Sequence, residues 1–169
     1  MTLVPPQPIP ISTGSGLGTF SVGDTLQIGG QQKSWKSDGT NVTGHGISCR
    51  VHSGTPSGSF TTVNLPFQWN TGDSGAPAGL NNFGDQQWGG DIQGANNSLV
   101  LSTNVLAGLT PGSYTLDVYS FITTENPTST IFNNVGGNNY KATFTVIPEP
   151  ASAALGLVGG LLLLRRRRI

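Results

Sequence analysis

The chain has 169 residues, of which only 9% are charged and 25 are glycine. Residues 1–150 contain four basic and eight acidic side chains, a net charge of −4, which four arginines near the C-terminus balance. The low charge argues against a disordered polyelectrolyte, the glycine-rich composition against a helical protein, and the acidic body against nucleic-acid binding.

Residues 1–16 are rich in Pro, Gly and Ser and are predicted to form an extended N-terminal segment. Residues 17–147 contain short apolar runs separated by Gly, Asn and Pro, with no long run of helical period. This pattern predicts a single all-β domain, a sandwich or a barrel. The predicted strands are 17–22, 24–28, 46–52, 58–69, 86–93, 97–103, 113–122, 130–135 and 139–147.

The strand at 46–52 alternates in character from residue to residue. Side chains of successive strand residues point to opposite faces, which predicts that Ile47, Cys49 and Val51 point inward and that His52 lies outward beside Arg50. Cys49, the sole cysteine of the sequence, is then a small buried hydrophobe that cannot share a metal ion with His52. No metal site is predicted from these residues.

A turn and the strand that follows it identify a candidate fold family. Pro111-Gly112 precedes an alternation of Tyr114, Leu116 and Val118. The stretch resembles the late strands of immunoglobulin-like and fibronectin-III-like sandwiches, with a jelly-roll-like sandwich as the alternative. The resemblance implies that the Tyr114 hydroxyl bonds back to the corner and that 139–147 is the final strand.

One motif suggests catalysis but lacks the partners that the chemistry requires. Gly72-Asp73-Ser74-Gly75-Ala76-Pro77 resembles the nucleophile loop of chymotrypsin-like serine proteases. The candidate bases, His45 and His52, lie 29 and 22 residues before Ser74, too close for that double-barrel fold. Paired carboxylates for glycoside hydrolysis are also missing, since Glu125 is the only Glu before the C-terminal motif. We therefore predict no enzyme and no catalytic residues.

Two binding possibilities remain. Three loop carboxylates offer oxygen ligands for a structural calcium ion, although no repeated Asp motif is present. Three tryptophans could stack on sugar rings, although tryptophans of a sandwich commonly lie in its core; Trp88, between Gln and Gly pairs, is expected to be the most exposed. The candidate calcium ligands are Asp73, Asp85 and Asp91, and the candidate sugar contacts are Trp35, Trp69 and Trp88.

The last 22 residues, 148–169, have three parts in strict order. Pro148-Glu149-Pro150 precedes the uncharged segment 151–164, and four arginines follow. A helix over 14 residues is about 21 Å long against about 30 Å of hydrocarbon, so it is a short membrane helix at most. The arginine stems can snorkel to the headgroups and favour a cytoplasmic C-terminus, while the prolines set the helix start.

This segment resembles the PEP-CTERM sorting signal of exported proteins of Gram-negative bacteria. The resemblance implies that Pro148, Glu149 and Pro150 are recognised by an exosortase, a membrane protease, while the segment is transiently anchored in the inner membrane. It also implies a final location at the cell surface or in the extracellular matrix, commonly with exopolysaccharide and biofilm. The residues implied to set the membrane orientation are Arg165, Arg166, Arg167 and Arg168.

Family members carry an N-terminal export signal, and residues 1–10 of this chain have neither a basic start nor an apolar run. We expect an exported protein with a structural or adhesive role in an exopolysaccharide or biofilm matrix. A carbohydrate-binding module on the same sandwich is the alternative, and a small secreted hydrolase is the second alternative.

Overall fold

A computed structural model describes residues 14–35, 41–71, 85–90, 99–125 and 128–149. Within these ranges every regular element is a strand, so the prediction of an all-β domain is confirmed. None of the described residues belongs to a helix with the length and apolarity needed to cross a membrane. The predicted helix 151–164 lies outside the described residues. The strands are β1 (Ser15–Ser21), β2 (Gln31–Trp35), β3 (Val42–His52), β4 (Thr61–Leu65), β5 (Phe67–Asn70), β6 (Asp85–Gly89), β7 (Gly112–Glu125), β8 (Thr128–Asn133) and β9 (Tyr140–Ile147).

The strands form two sheets, an arrangement consistent with a β-sandwich. The larger sheet has the order β1-β9-β7-β3-β4, with β8 also paired to β7, and the smaller has the order β2-β6-β5. The long strand β7 pairs with β9 over Gly112–Val118 and with β8 over Ser120–Glu125. β1 runs parallel to β9, whereas the other pairs are antiparallel.

Two hydrophobic clusters form the core, and Ile47 of β3 packs against both. As predicted, Cys49 faces inward, with an exposure of 2%. Because strand side chains alternate, each of β3, β7 and β9 buries every second residue in the larger cluster. The larger cluster contains Ile28, Cys49, Leu106, Leu116, Val118, Phe144 and Val146, and the smaller contains Val42, Val63, Leu65 and Trp88.

The corner before β7 has the predicted tyrosine bond. The Tyr114 hydroxyl donates to the backbone carbonyl of Thr110 over 2.9 Å, and the Tyr114 ring stacks on Phe144 at 5.6 Å between centroids. The strand predicted at 139–147 is confirmed as β9, the last strand among the described residues. The Tyr114 bond fixes the turn at Thr110 to β7, which lies in the middle of the larger sheet.

The predicted strands at 24–28 and 97–103 are wrong within the described residues, where one isolated bridge joins Gly29, just after the first segment, to Leu101 of the second. Two backbone bonds join this region, from the N–H of Ser102 to the carbonyl of Ile28 and from the N–H of Val105 to the carbonyl of Leu26, and side chains add further bonds. Asn104 Oδ1 accepts from the backbone N–H groups of both Leu26 and Leu106. The apolar residues of these segments therefore reach the core without a strand.

Candidate ligand-binding face of the six-stranded sheet

The six-stranded sheet has a second face, which the core clusters do not cover. On β3 Cys49 points into the core and Arg50 away from it, and on β7 Leu116 points inward and Asp117 away. We call the face that carries Arg50 and Asp117 the outer face. It displays three adjoining groups of side chains: a charged group, an aromatic group and a group of hydroxyls.

The charged group is one row of residues on three neighbouring strands. The register places Asp117 of β7 between Arg50 of β3 and Lys141 of β9. Arg50 Nη2 and Nε lie 2.9 and 3.0 Å from Asp117 Oδ2, and Lys141 Nζ lies 2.8 Å from Oδ1. Asp117 has no exposed surface. We call these three residues the charged rung.

The electrostatics of the charged rung leave an excess of positive charge. Burial on its own would raise the pKa of Asp117, but hydrogen bonds from Lys141 and Arg50 outweigh it and lower the pKa overall. The carboxylate is therefore ionised at neutral pH, where two cations surround one anion. The Lys141 side chain is 39% exposed, so this positive charge reaches the surface of an otherwise acidic domain.

His52 closes one side of the charged rung. It shares the outer face with Arg50, as predicted, but it is buried, with an exposure of 7%. Its Nδ1 lies 2.9 Å from the carbonyl oxygen of Gly54 and donates to it, which fastens the chain leaving β3. Its Nε2 lies 3.5 Å from Asp117 Oδ2 and has no hydrogen-bond partner among the described residues.

The aromatic group lies on one side of the charged rung. Tyr119 contacts Phe60 edge-on at 4.9 Å between centroids and Phe132 at 5.8 Å, and Phe121 lies 6.3 Å from Phe132. The guanidinium of Arg50 sits over the Phe60 ring at 4.5 Å, which joins the aromatic group to the charged rung. We call Phe60, Tyr119, Phe121 and Phe132 the aromatic patch.

Two glycines of β3 make room for side chains of β7, one of them for Phe121 of this patch. A Cβ at Gly46 would overlap the Phe121 ring, and one at Gly44 would lie 2.7 Å from Thr123 Oγ1. The Phe121 ring can therefore lie across β3 at Gly46. The rings of the patch are tilted against one another by 46–67°, and the exposed face of a single ring can still stack against another ring.

A groove with a volume of about 510 Å³ lies on the other side of the charged rung. Its polar lining is mostly hydroxyl groups, and the glycines that line it contribute no side chains. A Cβ added at Gly16 would have no atom within 4 Å, so a side chain can start from this position without a clash. We call it the hydroxyl groove; its lining includes Thr19, Ser113, Thr115, Thr143 and Thr145, with Gly16, Gly18 and Gly54.

The three groups follow one another along β7, from Phe121 through Asp117 to Ser113. At about 3.3 Å per residue this path is about 26 Å long. Rings for stacking, a cationic centre and hydroxyls for hydrogen bonding suit an extended polar chain such as a polysaccharide. Among the described residues, no three His, Cys, Asp or Glu side chains are grouped to hold a metal ion.

The expected exposure of Trp88 is wrong. Trp88 is 8% exposed and packs between the sheets, stacked on His45 at 5.1 Å and edge-on to Phe67 at 5.3 Å. The neighbouring Gly89 lies close to the residue before β2, because a Cβ at Gly89 would collide with the carbonyl oxygen of Gly30. Trp69 is half-buried in β5 of the smaller sheet. The Trp35 side chain lies outside the described residues.

The aromatic residues of the outer face were not predicted as a site. The available signal was the alternation of Asp117, Tyr119 and Phe121 on one face of a strand. Phe60 and Phe132 come from other parts of the chain, and only the fold brings them to this face.

The remaining predicted residues fall into two sets. Pro148 and Glu149 follow β9 directly and are exposed. The others lie outside the described residues: Pro150, Arg165, Arg166, Arg167, Arg168, Ser74, Asp73, Asp91 and the Asp85 side chain. Comparisons of the chain with protein-family models, curated proteins and solved structures found no match.

Proposed function

We propose that this chain is an exported protein, sorted to the bacterial surface through its C-terminal segment, with a structural or adhesive role in an exopolysaccharide or biofilm matrix. The observation that carries the proposal is the order of Pro148-Glu149-Pro150, an apolar segment and four arginines. The exposure of Pro148 and Glu149 immediately after β9 supports it, because a processing enzyme can reach the motif without unfolding the domain.

The finer assignment of the fold belongs to the same proposal. We take the two sheets as an immunoglobulin- or fibronectin-III-like sandwich that presents the sorting segment at the end of its last strand. The bond from Tyr114 to Thr110 supports this assignment, since a tyrosine at that corner is typical of such sandwiches.

The sorting proposal is tested by expressing the chain behind an export signal in matched hosts with and without an exosortase. We expect the surface-released protein to lack the arginines, as intact mass measures, only when the enzyme is present. Replacement of Glu149 by Gln should slow processing, while Glu125→Gln, an exposed change within the domain, should not. Soluble protein in the cell interior that keeps all four arginines would refute the proposal.

The geometry of the outer face favours a second candidate function, carbohydrate binding. The aromatic patch supplies stacking surfaces, and the hydroxyl groove supplies donors and acceptors along the same strand. Ligand sites of this kind combine apolar contact surface with a few placed polar groups. The sugar contacts are therefore proposed on this face rather than at the buried Trp88.

A matched pair of variants tests the carbohydrate proposal. Phe132 belongs to the aromatic patch and is 53% exposed, whereas Val100 is 40% exposed and lies outside any strand. We expect Phe132→Ala to reduce retention of the chain on insoluble polysaccharides, with cellulose and cross-linked alginate as probes, and Val100→Ala to leave it unchanged. Equal retention of both variants contradicts the proposal.

A second change blocks the groove without disturbing the core. Gly16 faces open space, so Gly16→Trp should fill the hydroxyl groove and reduce retention on the same probes. Gln31→Trp places the same ring on an exposed position of the smaller sheet and serves as the control. Unimpaired retention of the Gly16→Trp chain removes the groove from the site.

A further inference from the structure

β8 is an open edge of the larger sheet. Among the described residues it pairs with β7 alone, in a continuous register from Thr128 to Asn133. All six of its residues are exposed. The edge of such a strand presents backbone N–H and C=O groups that can pair with another strand.

The sequence of β8 lacks the features that usually protect an edge. Thr128–Asn133 contains no charged residue and no proline, and its pairing with β7 has no bulge. β1, at the end of the same sheet, differs, because a bulge between Gly16 and Gly18 interrupts its ladder. β8 is therefore a regular and uncharged template for strand addition.

The exposed hydrophobic residues of β8 indicate the direction from which a partner approaches. Ile131 and Phe132 are the two most exposed large hydrophobic residues described, at 56% and 53%. They lie on opposite faces, since Ile131 is opposite Ile122 and Phe132 is opposite Phe121. A partner docked on one face covers only one of them, whereas a strand added alongside β8 flanks both.

We propose that β8 is a self-association edge, at which two copies of the chain pair β8 to β8 in antiparallel orientation about a two-fold axis through Ile131. In this register Ile131 faces its counterpart, and Phe132 of each copy faces Thr130 of the other. Side chains keep their faces in this register, and aliphatic and aromatic–β-branched pairs of this kind stabilise antiparallel strands.

A second copy of the chain fits this edge better than the N-terminal segment does. Two uncharged strands meet without like charges opposed, although the domains as a whole are acidic. A two-fold pairing also satisfies both edges at once and closes the assembly. The N-terminal segment of the chain is a poor competitor, because prolines at positions 5, 6, 8 and 10 remove the N–H groups a ladder needs.

Pairing at β8 would also enlarge the proposed binding face. Phe132 belongs to the aromatic patch, so the patches of two copies would adjoin across the axis. Two outer faces held together would bind a repeating polymer at two points and gain avidity. Self-association itself does not depend on carbohydrate binding, so the two proposals can fail separately.

Disulfide trapping of the full-length chain in excess detergent micelles tests the proposal. The only native cysteine, Cys49, is 2% exposed, so an introduced thiol dominates the reaction with oxidised glutathione. We expect Ile131→Cys to form a covalent dimer much faster than Val100→Cys, an exposed position outside any strand. A mixture of Thr130→Cys and Phe132→Cys chains should cross-link faster than either chain alone, which reports the register.

Sedimentation of the chain without added thiols gives a second readout. Ile131→Lys should weaken self-association by about tenfold or more, because it places like charges on the two-fold axis. Val100→Lys adds the same charge away from the edge and should leave association unchanged. Dimer trapping at Ile131 no faster than at Val100, or equal association of the two lysine variants, overturns the proposal.

Discussion

His45 is a buried histidine whose two ring nitrogens are both bonded between the sheets. Its Nδ1 donates to Gln32 Oε1 over 2.8 Å, and its Nε2 accepts from the Ser34 hydroxyl over 3.0 Å. The ring is 3% exposed and stacks on Trp88. Burial lowers the pKa of His45 to about 4, so the neutral form is the one that the fold holds.

This histidine predicts a loss of stability in mild acid. The pKa of His45 is about 4 in the folded chain, against 6.5 for a histidine exposed to water, so unfolding takes up a proton between these values. The contribution is complete above pH 6.5 and is lost as the pH falls towards 4, by as much as ~3 kcal/mol. Urea unfolding at several pH values should show this fall in the free energy of unfolding, and His45→Gln should make that free energy depend less on pH. An unchanged slope in the variant contradicts the prediction.

Val135 is a residue whose backbone conformation disagrees with its side chain. Its φ is 52°, a region that β-branched residues rarely adopt and that Asn and Gly tolerate. Val135→Asn should therefore raise the free energy of unfolding by about 1 kcal/mol, measured by chemical denaturation. Asn139, at φ 58°, already has a suitable side chain, so Asn139→Val should lower stability by a similar amount. The prediction is checked by the sign of each change in the free energy of unfolding, which should be positive for Val135→Asn and negative for Asn139→Val.

At the scale of elements, the charged rung ties β3, β7 and β9 together. Arg50→Met removes two hydrogen bonds to a buried carboxylate and the contact with Phe60, and should lower stability by about 2–4 kcal/mol. Lys33→Met, at an exposed position of β2, should cost less than about 0.5 kcal/mol. Thermal melts of both variants measure the difference, and equal melting temperatures would contradict a stabilising role for the rung.

Within the charged rung, the face on which each residue lies follows from the sequence, whereas the neighbours across the sheet do not. Alternation within a strand is a local property, so the inward position of Cys49 and the shared face of Arg50 and His52 were predictable. The row Arg50–Asp117–Lys141 depends on which strands are neighbours and in what register, which local periodicity does not contain. Parts of the outer face on single strands were therefore predictable, but the assembled face was not.

Strand β2 was missed for a different reason. Gln31-Gln32-Lys33-Ser34-Trp35 has no apolar alternation, and its place in the smaller sheet comes from pairing with β6 along its whole length. Gln32 and Ser34 instead bond to His45 of the other sheet. Polar strands that bond to a buried partner carry no periodic hydrophobic signal.

At the scale of the whole molecule, one residue among those that the structure describes joins the two core clusters. Ile47 packs against both, and Val51 packs against the larger cluster only. A residue shared in this way is expected to couple the unfolding of the two clusters.

Replacement of these two residues separates stability from cooperativity. Ile47→Ala should lower stability by about 2 kcal/mol and separate the unfolding transitions seen by tryptophan fluorescence and by far-UV circular dichroism. Val51→Ala, on the same face of the same strand, should lower stability while the two transitions still coincide. Coincident transitions in both variants would show that Ile47 does not couple the clusters.

The parallel pairing of β1 and β9 has a mechanical consequence. The six registered residue pairs run from Ser15–Ala142 to Ser21–Ile147, and the N–H of Val22 adds a bond to the carbonyl of Ile147. A pull that drew Ser15 and Ile147 apart would act along these strands and load their bonds in shear, all together rather than one after another. A domain anchored through β9 and pulled through β1 would therefore resist force far better than one whose terminal strands separate one hydrogen bond at a time.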